Sequence, residues 1–525
     1  MQLYDTYTKT KQPLPTPQDQ PIIKLYTCGP TVYDYTHIGH ARKYVMDDIL
    51  KRSLQYLGYD VWHVMNITDV GHLSGDDDTG DDKLEKGAQK TGKTVWEVAQ
   101  FYTNFFHGTM RALNIIPPDL EWNATDHVEE MIELVSLLQQ KGYVYETDEA
   151  LYFDTTLFPN YGKLSGQNLK EKMQAVRDDV YVDPQKKHST DFSLWFKCVG
   201  RFANHTMQWD SPWGKGFPGW HIECSAISLF GFKEILDQQN NNENDSKTNV
   251  NERRNIFSMT TGPGTPGERR EKISFQARSD MIEKDNFPII DIHTGGIDHI
   301  PVHHENEIAQ YEAATGQTFV KIWMHYAFLN KKKKKMSKSK NNFYTLDDVK
   351  KHDIDPLALR YLILQTHYRK SMNFTWEALD GAQVNLKRIY SYIISFRNPS
   401  KTSKREKNPQ LVQKYLLDFK EALENDLNTA KALSVMWDVL NSMLNANEKL
   451  KLFYSFDKIF GLGFEQLSDD YFTRKWPNEI LKLADQRLEA RRNKDFQSSD
   501  ELRKKIEKKG WSIEDTFDGY TIKKN

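Results

Sequence analysis

The sequence predicts an α/β fold: a parallel-sheet domain interrupted by an inserted domain, followed by an α-helical bundle and a small C-terminal module. Three observations predict it. A short apolar strand, Ile22 to Thr27, runs into a Gly-Pro turn, a helical pattern from Ile38 to Leu57 and a second strand from Val61 to Ile67, the opening of a Rossmann-like parallel sheet. Beyond Asp347 the pattern turns helical, with Leu379, Ala382, Leu386, Ile389 and Ile393 spaced to share one buried helix face. At 525 residues the chain is also too long for a single hydrophobic core.

The first half of the sheet domain spans residues 1–119. In such a sheet, ligands collect outside the carboxyl ends of the strands, so chemistry is expected in the turn after Thr27. Residues 120–199 read as an insertion, with a helix from Val128 to Lys141 and short aromatic strands at Tyr143 to Thr147 and Leu151 to Asp154. The sheet resumes near Trp220 and again at Ile289 to His293, within a second half spanning 200–346. That half is broken at 238–285, where Gln-Gln-Asn-Asn-Asn-Glu-Asn-Asp-Ser and Gly-Pro-Gly-Thr-Pro-Gly offer too little apolar surface to offset ordering. The helical bundle covers 347–470 and the module 471–525, the latter a charged helix from Asn478 to Lys508 and a hairpin turning at Asp518-Gly519.

No stretch approaches the roughly 18 uninterrupted apolar residues of a membrane-spanning helix. The start, Met-Gln-Leu-Tyr-Asp-Thr-Tyr, has neither a secretory core nor transit-peptide character, so a cytoplasmic location without a membrane partner is expected. Three cysteines, Cys28, Cys198 and Cys224, fit a reducing compartment and leave metal binding or packing as their uses. A net charge of -2 leaves RNA binding through a local basic face open.

Two segments carry phosphate chemistry. His37-Ile-Gly39-His40 stands where the first helix begins; there backbone N–H groups and the helix dipole favour an anion, the glycine admits close approach and imidazoles can stabilise phosphate charge. Some three hundred residues later comes Lys335-Met-Ser-Lys338-Ser, at the end of five consecutive lysines.

A third constellation carries metal chemistry. Cys28 ends the first strand, Cys224 lies in Gly219-Trp220-His-Ile-Glu-Cys-Ser-Ala, and His303 and Glu307 are four apart. With Pro301 in the first turn of a helix, that pair shares a face, and two thiolates, one imidazole and one carboxylate make a tetrahedral zinc set. His304, three before Glu307, is not excluded by spacing. Cys198 reads as a packing residue.

The pair His37-Ile-Gly-His40 and Lys335-Met-Ser-Lys-Ser resembles, in order and spacing, the two signature motifs of class I aminoacyl-tRNA synthetases. The segments Tyr26-Thr-Cys-Gly-Pro-Thr-Val-Tyr-Asp, Trp209-Asp-Ser-Pro-Trp-Gly-Lys-Gly, Gly219 to Ala226, His303-His-Glu-Asn-Glu-Ile-Ala-Gln and Trp323-Met-His resemble the cysteinyl-tRNA synthetases. The resemblance implies ATP-dependent activation of L-cysteine and its transfer to tRNA(Cys), by a monomer that uses one zinc ion and Mg2+ with ATP. It implies that His37, His40, Lys335 and Lys338 are catalytic, with ATP held by His37, Gly39, His40, Gly295, Gly296, Asp298 and Lys338. It further implies that Cys28, Thr68 and Trp220 contact the amino acid and that Cys28, Cys224, His303 and Glu307 hold the zinc. The bundle and C-terminal module would then bind the anticodon, with Arg491, Arg492, Arg503, Lys504, Lys505, Trp511 and Phe517 as candidate contacts.

Three positions depart from the family pattern: Thr294 replaces a usual third glycine, Phe217 a usual arginine, and Asn341 a usual glycine. Two other activities fit part of the pattern. A ligase joining cysteine to an amino sugar shares the motifs but needs no C-terminal extension, and a noncatalytic RNA-binding paralogue would have lost motif residues.

Overall fold

The computed structural model describes residues 1–71, 73, 82–166, 183–244, 287–331, 334–336, 342–399, 405–469, 471, 477–493, 495–516 and 519–524. The chain divides into two compact units, Met1–Leu462 and Gly463–Asn525.

Five parallel strands form the central sheet of the first unit, in the order Val320–Tyr326, Ile290–Gly296, Ile22–Thr27, Asp60–Ile67, Leu120–Asn123. Near-continuous apolar runs such as Val-Trp-His-Val-Met-Asn-Ile suit strands buried on both faces. From Ile22–Thr27 the chain progresses toward one edge, and from Ile290–Gly296 toward the other. The switch point between these two neighbours is where an open α/β sheet forms its ligand crevice.

The helix Ile38–Tyr56 is buried around most of its circumference, which is why it shows no clean polar face. Its buried charges are partnered: Lys51 reaches Asp119 at 3.0 Å, and Asp48 accepts from Arg52 at 2.7 Å and from Arg360. Arg42, from the same helix, donates to the carbonyls of Ala327, Phe328 and Lys370 at 2.6–2.7 Å. These contacts tie the sheet domain to the helical bundle, whose helices include Pro356–Leu364, Trp376–Arg397, Pro409–Glu424, Thr429–Asn441 and Ala446–Phe460. Leu379, Ala382, Leu386, Ile389 and Ile393 are all buried, as their spacing predicts.

A second sheet, antiparallel, runs Val144–Glu146, Ala150–Phe153, Phe192–Lys197, Gly216–Pro218. Leu120–Asn123 pairs with the main sheet, so the excursion begins beyond it. Phe217, at the departure from a usual arginine, is buried and stacks on His205 at 4.0 Å.

Three local expectations are corrected. Residues from Trp220 form a helix to Asn244 rather than a strand: Ile222, Ala226 and Leu229 recur at helical spacing, and the preceding strand is Gly216–Pro218. The helix therefore also runs into the Asn-rich stretch, and residues 245–286 lie outside the described residues. Pro301 does not sit in the first helical turn; the helix is His303–Thr315, and the proline lies in the turn before it. The charged C-terminal helix is two helices, Asn478–Arg492 and Phe496–Lys508, because Asp495 caps a new start by accepting from Ser498 N at 3.0 Å.

In the second unit these helices and the hairpin Trp511–Thr516 with Gly519–Lys524 bury Ile480, Ala484, Ile506, Ile513 and Ile522. Arg491 and Arg503, candidates for contacting RNA, converge with the buried Arg487 on Asp515, which Arg487 meets bidentately at 2.5 and 2.9 Å. Lys504 and Lys505 are exposed, and Phe517 lies outside the described residues.

Candidate active site

The crevice is built from the first turn outward. The Cys28 N–H donates to Thr294 O at 3.3 Å and the Gly29 N–H to Asn66 Oδ1 at 2.7 Å, which fixes the turn against both neighbouring strands. Asn66 also donates through Nδ2 to Thr68 Oγ1 at 3.0 Å, orienting that buried hydroxyl.

His37 caps the helix Ile38–Tyr56: its Nδ1 accepts from the His40 N–H at 3.1 Å. That bond fixes the tautomer, so the His37 proton is on Nε2, where it can donate. The two imidazoles stack with centroids 3.6 Å apart. A side chain at Gly39 would collide with the His37 ring, so the glycine between the histidines is required by their stacking. Residues 343–345 lie against this cap, with the Ile38 N–H donating to Tyr344 O at 2.8 Å and Phe343 beside His37. The segment just past Lys335 to Ser339 is thereby brought to the first motif. Lys335 lies in a two-residue strand paired to Asn330, whereas Lys338 lies outside the described residues.

On the other side of the turn, Cys28, Cys224, His303 and Glu307 are buried and place one donor atom each within 4.8 Å of one another. Cys28 and Glu307 also belong to an alternative set with His293 and His304. Glu307 is the hinge of both, with His303 Nε2 3.0 Å from Oε1 and His293 Nε2 2.8 Å from Oε2. His304 lies 3.3 Å from Cys28 Sγ and 2.7 Å from His325.

The electrostatics distinguish the members. Burial and the proton shared with Cys224 push the Cys28 thiol well up. Burial opposes ionisation of Cys224, yet its hydrogen bond from Cys28 and the His303 charge bring it down to about 6. Burial works against the His303 imidazolium, but Cys224 and Glu307 raise it to about 10. Glu307 is held far below the usual carboxylate range against its own burial, by His293 and His303. Burial and four neighbouring histidines drive His304 well down. Two thiols, an imidazole and a carboxylate are the donor types of a zinc site, and Cys28 and His303 would release their protons on binding the metal.

Trp220 opens its helix and stacks on His303 at 4.3 Å. Gly295 and Gly296 end the strand Ile290–Gly296, and Asp298 follows, exposed. Contacts that spacing did not reveal are His293 behind Glu307, His221 with its Nδ1 2.9 Å from His303 Nδ1, and a charged line along the first helix. In that line Lys43 donates to Cys28 O and meets Asp47 at 2.8 Å, and Asp47 accepts from the Thr294 hydroxyl at 2.6 Å. His221 stands in a matching segment, Gly219 to Ala226, which was the available signal; His293 and the line along the helix carried none.

A family model described as the tRNA synthetases class I (C) catalytic domain matches residues 15–241 and 256–384, and a DALR domain matches 418–465. The parallel sheet, with its motif crevice and helical extension, is thus the architecture of a class I tRNA synthetase. Among similar proteins, the cysteine-tRNA ligase 1 of Burkholderia lata is 37% identical over 528 residues, covering 99% of this chain and 96% of that protein. The cysteine-tRNA ligase of Treponema denticola is 37% identical over 523 residues, covering 95% of each. The chain belongs to the cysteine-tRNA ligase family. The Agrobacterium radiobacter K84 agnB2 LeuRS in its ternary complex with tRNA and LeuAMS shares the fold, with a TM-score of 0.53 at 11% identity, covering 85% of this chain and 84% of that one.

Proposed function

We propose that the protein is a cysteine-tRNA ligase that activates L-cysteine with ATP and esterifies the 3′ end of tRNA(Cys). One observation carries the reading: the stacked His37–His40 pair and the Cys28, Cys224, His303, Glu307 set flank the same turn at the sheet's switch point. An amino acid held by its thiol at one side would present its carboxylate toward a phosphate at the other.

In the first half-reaction a cysteine carboxylate oxygen attacks the α-phosphorus of ATP, and the bond to the bridging oxygen breaks, releasing pyrophosphate. His37 would donate a hydrogen bond from its Nε2–H to the phosphate oxygens, with His40 stacked beside it. Lys335 and Lys338 would meet the pyrophosphate, and Gly295, Gly296 and Asp298 the adenosine. Catalysis of this type is positioning and charge neutralisation. In the second half-reaction a terminal ribose hydroxyl attacks the carbonyl carbon, and AMP leaves with the bonding pair.

The donor set fits zinc, held by Cys28, Cys224, His303 and Glu307. This set is preferred to the alternative with His293 and His304 because it brings both buried thiols, the softest donors in the crevice, to one point. When bound, zinc supplies a soft cation that takes a thiolate in preference to a hydroxyl, the distinction needed between cysteine and serine. Thr68 and Trp220 would border the amino acid. Mg2+ would arrive with ATP, and the bundle and C-terminal unit would read the tRNA anticodon. The protein would act as a monomer in the cytoplasm. No helix among the described residues is long and apolar enough to cross a membrane.

ATP–pyrophosphate exchange tests the reading: exchange dependent on cysteine and not supported by serine is expected, and exchange absent with every amino acid would overturn it.

A further inference from the structure

Lys43, a nearly buried charge beside the reacting groups, has no role in the motifs. Lys43 follows His40 by three residues on the helix Ile38–Tyr56, so the two share a face. Its side chain is 11% exposed, and its ammonium lies at the turn itself, donating to the carbonyl of Cys28. It also forms an ion pair with Asp47 Oδ2 at 2.8 Å and lies over the Tyr44 ring, 4.4 Å from its centroid. Asp47 is buried and held in turn by the Thr294 hydroxyl at 2.6 Å, and Thr294 O accepts from the Cys28 N–H at 3.3 Å. The ammonium is therefore fixed by both strands of the switch point, between the thiol-binding side and the phosphate-binding side. An ammonium carries three donors, and the contacts to Cys28 and Asp47 occupy at most two of them.

We propose that Lys43 is a specificity-determining residue whose third donor holds the α-carboxylate of the amino-acid substrate, with Asp47 and Thr294 as its positioning residues. The proposal rests on the cysteine-activating reading and deepens it. The reaction brings an anionic carboxylate against an anionic triphosphate, and a cation beside the nucleophile offsets their repulsion before any bond forms. Thr294 then has a definite part: where a glycine offers no hydroxyl, the threonine steadies Asp47 and through it the ammonium.

The test compares L-cysteine with cysteamine, which keeps the thiol and amine but lacks the carboxylate. Binding of each to the zinc-loaded full chain is measured by calorimetry for the wild type and for Lys43→Met, Lys43→Arg and Asp47→Asn, with zinc content determined in parallel. Loss of a charge-assisted hydrogen bond predicts cysteine binding weaker by about ten-fold or more in Lys43→Met. Cysteamine affinity and zinc content should be unchanged, Lys43→Arg should recover part of the cysteine affinity, and Asp47→Asn should show a smaller loss of the same selectivity. Equal weakening of both ligands would make Lys43 a structural residue and overturn the proposal. So would unchanged cysteine binding in Lys43→Met. Should Lys43→Met fail to fold, Asp47→Asn decides by the same comparison. A wild type that binds cysteine yet shows no cysteine-dependent exchange would instead sink the proposed function, so the two failures are distinguishable.

Discussion

Replacing His293 with leucine separates the two overlapping metal sets. His293 is buried on the strand Ile290–Gly296, donates to the outer oxygen of Glu307 at 2.8 Å and stacks on Trp323 at 4.4 Å. Leucine keeps an apolar side chain against the tryptophan and removes the hydrogen bond together with the ring stacking, so zinc affinity at saturating stoichiometry is the readout. If Cys28, Cys224, His303 and Glu307 are the ligands, His293 acts from behind the site, and losing such a partner lowers metal affinity by about 10–100-fold, or about 1.4–2.7 kcal/mol. An independent estimate agrees, since a hydrogen bond to a charged group contributes about 1.5–3 kcal/mol. Competition with a chromophoric chelator should therefore give His293→Leu a zinc stoichiometry of about one per chain at saturation, with the affinity reduced by that factor. The reasoning is refuted if His293→Leu loses zinc as completely as Cys28→Ser while Cys224→Ser retains it, because His293 would then be a ligand itself.

Cys28→Ser and Cys224→Ser should each lose zinc and cysteine activation together, measured by metal analysis and pyrophosphate exchange; normal activation in both would exclude the four-residue set. Removing residues 478–525 should reduce tRNA charging while sparing pyrophosphate exchange, since the crevice lies wholly in the first unit; an equal loss of both would make the tail structural. His205 provides a pH test. Burial opposes its charge, but Asp82, 3.0 Å away, raises it above its ordinary value, and Asp82 also caps the helix Lys83–Thr91. A histidine raised on folding contributes stability below its unfolded pKa of about 6.5 and loses it as pH rises through the folded value. Urea titrations should show the wild type losing its advantage over His205→Asn as pH climbs above that point, and parallel pH profiles would contradict the assignment.

The elements that periodicity marks strongly were legible in the sequence. Ile22–Thr27 is a strand with the predicted bounds, Ile38–Tyr56 ends one residue early, and the buried stripe from Leu379 to Ile393 is as spaced. Fully buried elements were harder, because a run such as Trp-His-Ile-Glu-Cys-Ser-Ala-Ile lacks alternation and suits either a helix or a strand. The helix break at Asn493–Asp495 was hidden in continuous charge, where a capping aspartate looks like any other.

The donor types of the site were readable because they fall in compact segments, but their mutual contacts were not. That His293 supports Glu307 while His303 faces the opposite oxygen depends on a strand and a helix meeting in space. The same holds for Thr294: the sequence marks it only as a departure from a usual glycine, whereas the structure gives its hydroxyl a partner in Asp47, 247 residues away in the sequence.

The most direct test of the account is ATP-dependent charging of tRNA(Cys) by the purified, zinc-loaded chain, comparing labelled cysteine with labelled serine. The account predicts base-labile cysteinyl ester on the tRNA and no seryl ester above background. Cysteine-dependent adenylate formation with no transfer to tRNA, or transfer to an amino sugar instead, would contradict it.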